Sequence, residues 1–192
     1  MSRLINALPW VLATVLVAGL THFVAILILP KVATRDAYDR LAANSSAVDH
    51  MVLLPTSIPG ASLIPFQDPA TVQGLCFFDV GKEPVRVKAR VEEGRLLTLS
   101  FRTREGRVFY AMTDRAALHD VIDIRLVSES QLQLVEAGDD EEQGLPAELR
   151  LKTPAPMGLI VATALIARPG DRADAEARIK AIDCRPEPLA AP

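Results

Sequence analysis

One uninterrupted apolar run near the start constrains this chain more than any other feature. From Leu4 to Pro30 there is no Asp, Glu, Lys or Arg. Its core, Pro9 to Leu29, reads PWVLATVLVAGLTHFVAILIL. About 21 helical residues cover roughly 30 Å, the thickness of the bilayer's hydrocarbon layer. Pro9 suits a first helical turn, where a missing N–H costs nothing. Trp10 falls where an interfacial aromatic belongs, and Pro30-Lys31 closes the span. A cleaved signal peptide would have a shorter apolar region of about 7–15 residues and a small-x-small site after it. LPKVATRDAYDR, which follows instead, is charged and reads as the start of a helix. The expectation is an uncleaved single-pass anchor over residues 1–30. His22 lies inside the span without an acidic partner there, so it reads as a neutral imidazole at a packing contact.

Orientation does not follow from charge. Arg3 precedes the span, whereas Lys31, Arg35 and Arg40 follow it, interleaved with Asp36 and Asp39. That count favours a cytoplasmic C-terminal side, yet long domains translocate with little regard to charge. The remainder of the 192 residues is enough for one domain. With 21 Lys+Arg against 24 Asp+Glu, no basic excess exists to neutralise a phosphate backbone, so nucleic acid is not an expected partner.

Residues 31–53 read as a juxtamembrane helix and linker, with Ala37, Tyr38, Leu41 and Ala42 as an apolar stripe that weakens at Asn44-Ser45-Ser46. A β-rich domain is expected over 54–185. Its opening stretch carries Pro55, Pro59, Pro65 and Pro69, which favour turns and short extended pieces. Val85, Val87, Ala89 and Val91 then alternate with Arg86, Lys88 and Arg90, and Leu97, Leu99 and Phe101 with Thr98, Ser100 and Arg102. Each is a strand with one buried and one wet face, which places Leu99 inward and Arg102 outward. With Val108–Met112 after the Arg104-Glu105-Gly106 turn, the three predict an antiparallel meander. Further strands are expected at Ile122–Val127, Glu148–Thr153 and Leu159–Ile166, the last apolar enough to be central. A helix is expected over Asp171–Ile182, with Asp171 as its cap. Residues 186–192 read as a flexible Pro/Ala-rich tail. The fold class is therefore α+β: a single transmembrane helix, a mainly antiparallel β-sheet domain, and a C-terminal helix.

Little in the chain points to catalysis. His22, His50 and His119 are far apart in sequence, and no H-x-x-x-H, C-x-x-C, P-loop, G-x-S-x-G or G-x-G-x-x-G occurs. His119-Asp120 reads as a solvated turn. The acidic run Asp139–Glu142 lacks the ligand spacing of an EF-hand loop and reads as a solvated connection. No cofactor and no metal are expected. Asp114-Arg115 ends a strand in a polar turn, where the guanidinium pairs locally or binds a ligand anion. Cys76 stands before the first clear strand and Cys184 at the end of the C-terminal helix. In a cytoplasmic domain these are two inert buried thiols. In an oxidising compartment a pair bonds without remainder. The bridge would close a loop of about a hundred residues, worth about 4–5 kcal/mol.

Leu97-Thr98-Leu99-Ser100-Phe101, then Phe109-Tyr110-Ala111-Met112-Thr113-Asp114-Arg115, and finally Gly158–Ile166 together resemble domain-of-unknown-function family 1254, with its companion family 1214. These segments match a W-S-L-S-L-Y-D strand, an N-x-Y-A-L-x-D-R segment and a late apolar strand. LIPFQDPATVQGLCFFDV is similar to the head of short membrane-anchored members, cysteine included. The resemblance covers roughly Leu54 to Cys184 plus the anchor. Leu96 replaces the leading aromatic, and Arg102-Thr103 replaces Tyr-Asp, so a pocket lined by those aromatics would be incomplete here. The resemblance implies a β-rich periplasmic domain without an established reaction.

The functional expectation is a noncatalytic interaction or accessory module held at the inner membrane, its C-terminal domain in the periplasm. Its partners are the lipid bilayer and an envelope protein. The alternative is a small-molecule-binding or enzymatic domain, with a cleft near Tyr110, Asp114 and Arg115.

Overall fold

A computed structural model describes residues 2–32, 36–43, 47, 49–56, 67–137 and 148–188. The chain divides into two compact units, Met1–Arg35 and Asp36–Pro192. The first is one helix, α1 (Ser2–Val32), whose stretch Asn6–Leu29 is long and apolar enough to span a membrane. A signal sequence shares that property.

The second unit is two β-sheets packed on a common core, with helices at its margins. Its elements are α2 (Ala37–Ala42), β1 (Val52–Leu53), β2 (Thr71–Asp79), β3 (Val85–Arg90), β4 (Leu97–Thr103), β5 (Val108–Thr113), β6 (Val121–Val127), α3 (Glu129–Ala137), β7 (Leu149–Lys152), β8 (Met157–Leu165), α4 (Arg172–Lys180) and β9 (Asp183–Pro186). One sheet has five strands in the order β1-β2-β8-β4-β5, the other four in the order β7-β6-β3-β9. Every pairing is antiparallel except β6 with β7. The architecture is α+β, as the periodicities require, and the apolar strand β8 is central in its sheet.

The meander expected from the first three alternating strands does not form. β4 and β5 make a hairpin in the five-stranded sheet, whereas β3 lies in the other sheet between β6 and β9. Period-two alternation identifies a buried face but not the sheet that owns it, and the 91–96 connection crosses between layers. β2 breaks the alternation altogether. Leu75, Cys76, Phe77 and Phe78 are all buried, because both sides of this strand are covered. Cys76 and Phe78 join the inter-sheet core. Leu75 and Phe77 join a smaller cluster with Ala47, Leu54, Leu159 and Val161, against which Tyr38 and Leu41 of α2 pack.

Two further expectations are corrected. Cys76 lies within β2 rather than ahead of the first strand, and Cys184 lies on β9, beyond the end of α4 at Lys180. Helix α3 has no counterpart in the sequence reading, since its face is half-polar and none of its residues is buried. The acidic run 139–142 and the residues 189–192 lie outside the described residues.

Candidate functional site

Tyr110 lies in the middle of β5, and Asp114 and Arg115 lie in the turn that leaves it. β5 is the edge strand of its sheet. The half-buried Tyr110 ring lies 6.1 Å from that of Phe101 and packs against the core. Asp114 opens a 3₁₀ turn, Asp114–Ala116, whose Ala117 N–H donates to the Asp114 carbonyl at 3.1 Å. The buried Oδ1 of Asp114 accepts no hydrogen bond, while Arg115 is exposed. The three residues are therefore near neighbours along the chain, with no ion pair between Asp114 and Arg115 among the described residues. Just beyond, His119 and Asp120 both take left-handed backbone angles, with φ of 51° and 62°, in a two-residue turn closed by Leu118 and Val121. His and Asp are among the side chains that tolerate that region.

Among the described residues, the largest concentration of charge lies elsewhere, on the outer face of the four-stranded sheet. Register places Arg150 beside Arg125, Arg125 beside Arg86, and Arg86 beside Arg185. Like charges directly opposite one another destabilise a sheet. Carboxylates interleaved with the row remove that penalty. Arg86 grips Asp123 through Nε and Nη2, each at 2.9 Å, and donates from Nη1 to Glu187 at 2.7 Å. Arg125 Nη2 reaches Glu187 at 2.9 Å and Glu148 at 3.1 Å. Arg150 meets Glu148, Arg185 meets Asp183, and Lys88 meets Asp123. The hydrogen bonds it donates to Asp123 raise the Arg86 pKa above its ordinary value, against the opposing effect of burial. For Asp123 itself burial pushes the pKa up, but the hydrogen bonds and charges of Arg86 and Lys88 together hold it below the ordinary carboxylate range. This face is a neutralised lattice that ties Glu187 and the end of β9 to β3 and β6. The alternation of charges along β3 and β6 was visible in sequence, but the alignment of arginines into one row depends on register.

A second ionic cluster fixes α2. The Tyr38 N–H donates to the Arg104 carbonyl, and the Arg104 guanidinium bonds the carboxylates of Asp36 and Asp39. It also lies 5.2 Å from the Tyr38 ring centroid, while that ring meets Phe77 edge-on at 4.6 Å. Those two hydrogen bonds raise the Arg104 pKa above its usual value.

At the other end of the five-stranded sheet is an open surface depression of about 420 Å³, lined by Pro69, Ala70, Ile166, Ala167, Arg168, Pro169 and Arg172. Backbone bonds hold its walls, with the Ile166 N–H donating to the Ala70 carbonyl at 2.8 Å. A narrower crevice adjoins it through Arg172 and is lined by Thr71, Gln73 and Glu176 among others. Neither includes Tyr110, Asp114 or Arg115. Sequence reasoning missed this feature because Pro169-Gly170 signals only a helix start, and the other wall comes from a segment almost a hundred residues earlier.

Cys76 and Cys184 form a disulfide between the two sheets, with Cα atoms 6.7 Å apart. Both residues are buried.

No family model matches the chain, and no curated protein matches it. Among solved structures it is similar to the VPA0106 protein of Vibrio parahaemolyticus, with 16% identity and a TM-score of 0.49 over 67% of this chain and 33% of that one. It is also similar to an uncharacterised protein of Burkholderia cenocepacia, with 10% identity and a TM-score of 0.42 over 73% of this chain and 34% of that one. The chain thus spans about a third of the length of each.

Proposed function

We propose that this is a noncatalytic envelope protein, a membrane-anchored member of domain-of-unknown-function family 1254 in which α1 spans the inner membrane and the β-domain works in the periplasm as an interaction or accessory module. One observation carries the reading: a domain joined to an apolar helix of spanning length is itself closed by a buried disulfide. Disulfides persist in oxidising compartments and are rare where glutathione and thioredoxin keep thiols reduced. The resemblance of the segments at Leu97–Phe101, Phe109–Arg115 and Gly158–Ile166 supports the same placement. The noncatalytic part draws on the chemistry of the charged face, whose arginines are already held by Asp123, Glu148, Asp183 and Glu187. Side chains spent on one another serve the sheet rather than a substrate.

Fractionation and topology test the reading together. Full-length protein is expected to stay with membranes through carbonate and high-salt washes. A periplasm-dependent reporter fused to the C-terminus is expected to be active. Recovery of a processed form lacking about thirty residues would replace the anchor with a signal peptide. A cytoplasmic-type reporter result would overturn the placement.

The orphan Oδ1 of Asp114 favours a second reading, a ligand site at the end of β5. Asp114→Asn and Arg115→Ala would then abolish binding of a small-molecule ligand without loss of the fold. Unchanged ligand binding in both variants would remove this reading.

A further inference from the structure

We infer that the depression between Pro69-Ala70 and Ile166–Arg172 is a docking surface for an acidic, apolar peptide segment of a protein partner, an inference that rests on the interaction-module reading above. Three observations lead there.

The first is charge. The guanidiniums of Arg86, Arg95, Arg104, Arg125, Arg178 and Arg185 each meet a carboxylate. Arg168 and Arg172 have no carboxylate within ion-pair distance among the described residues, a trait they share with Arg90, Arg102, Arg107 and Arg115, but of these only Arg168 and Arg172 line the depression. Arg172 Nη2 donates only to the Pro69 carbonyl, at 3.2 Å. Asp68, nearby, spends its Oδ1 on the Ala70 N–H at 2.9 Å. Two guanidiniums left uncompensated beside an apolar floor call for an anionic occupant, and their planar forks match a carboxylate.

The second is shape and lining. The floor is Pro69, Ala70, Ile166 and Pro169, and the cavity is wide open, which suits an extended segment laid across it rather than an enclosed small molecule. Leu165, next along the chain from Ile166, is 39% exposed, and its N–H donates to the carbonyl of Leu96, itself 43% exposed. Arginine is among the residues enriched at protein interfaces.

The third is position. α2, and with it Asp36 at the start of the folded unit, is clamped at the Arg104 turn. β4 ends at Thr103 and begins at Leu97, so Leu96 and the depression lie at the opposite end of that strand, about 20 Å away. The chain enters this domain at one end and presents the arginine-rimmed surface at the other.

The test uses the full chain in phosphatidylcholine nanodiscs and a labelled short peptide of alternating leucine and glutamate, with its leucine–lysine counterpart as control. The leucine–glutamate peptide is expected to bind and to weaken several-fold as salt rises from about 0.05 to 0.3 M. Arg168→Glu with Arg172→Glu is expected to weaken it at least tenfold, while Arg107→Glu at the far end leaves it unchanged. Arg168→Gln with Arg172→Gln reads the same contrast in the event that the glutamates unfold that end. Equal binding of both peptides, no loss in either double variant, or no binding at all overturns the proposal. Stronger binding to phosphatidylglycerol vesicles than to the peptide would assign the surface to lipid, and arginine-dependent self-association would assign it to a second copy. Either result overturns the proposal. None of these results moves the membrane-fraction or reporter outcomes, so this inference can fail while the envelope placement stands.

Discussion

Gly158 shows how little space some single positions leave. A Cβ built there would collide with the Arg102 carbonyl oxygen and the Phe78 ring, because Gly158 pairs with both Phe78 and Thr103 across its two neighbouring strands. Both obstacles are core or backbone, so neither yields cheaply. Gly158→Ala is expected to cost about 1–3 kcal/mol, measured as a fall in the denaturant midpoint. Gly170→Ala, with open space around it, is expected to stay within about 0.5 kcal/mol. An equal effect of the two would mean that β2, β8 and β4 are not as close as described. Leu99 and Arg102 test the facing of β4 in the same way. Leu99 is fully buried, whereas Arg102 is half-buried on the other face, its Nε 3.3 Å from Ser100 Oγ. Leu99→Asp is expected to abolish folding, since an unpaired carboxylate in a core costs several kcal/mol against a total of about 5–15. Arg102→Asp is expected to be tolerated, with near-native circular dichroism as the measure. The facing of both residues was legible in sequence, because strict alternation carries it. The crowding at Gly158 was not, because it depends on two partners far away along the chain.

The strands show where such reading ends and why. β4, β6 and β8 were foreseen nearly at their true limits, each having an alternating or wholly apolar pattern. β2 was missed because the segment around Tyr38 and Leu41 covers the face that alternation would leave wet. The depression was equally hidden, its walls being β-strand ends that meet only in three dimensions. The charged outer face is intermediate: residue types were evident, pairing was not. Its stability should depend on acid in a definite direction. The folded Asp123 carboxyl titrates below its ordinary value of 3.8, so the stabilisation is present above that value and is lost as pH falls through the folded pKa. Asp123→Asn leaves Arg86 facing Arg125 and Arg185 without its bidentate partner. The variant is expected to be about 1–2 kcal/mol less stable than the parent near neutrality, a figure kept small because the side chains retain some exposure. The gap should close as pH falls through the folded pKa of Asp123, below 3.8, where the parent also loses its carboxylate. A gap independent of pH across urea titrations would assign the loss to packing instead.

On the scale of the whole molecule, the Cys76–Cys184 bond ties the fold to the compartment proposed for it. It links β2 of one sheet to β9 of the other across 108 residues of sequence. Two cysteines in the chain made the pairing readable from parity, given export, although both were assigned to the wrong elements. Chain-entropy estimates value a closed loop of this size at about 4–5 kcal/mol, a large share of the stability of about 5–15 kcal/mol that a domain has. The replacement Cys76→Ala with Cys184→Ala removes the cross-link from the unfolded chain and leaves two small gaps in a shared core. It should therefore lower the unfolding midpoint strongly, and reduction of the parent under mild denaturant should do the same. Full-length protein prepared from membranes without reductant is expected to give no free thiols, even when unfolded, until a reducing agent is added. A version lacking residues 1–35 and made in a reducing cytoplasm is expected to yield two free thiols per chain and to match the double alanine variant in stability to within the two gaps. Subsequent oxidation should then restore the parental midpoint, because both sulfur atoms are held side by side by sheets that are otherwise complete. Free thiols in the membrane-derived protein would overturn the placement in an oxidising compartment, and an oxidised product from the cytoplasm would show that burial alone protects the bond. The bond would then be a property of the fold and would cease to report the side of the membrane on which the domain lies.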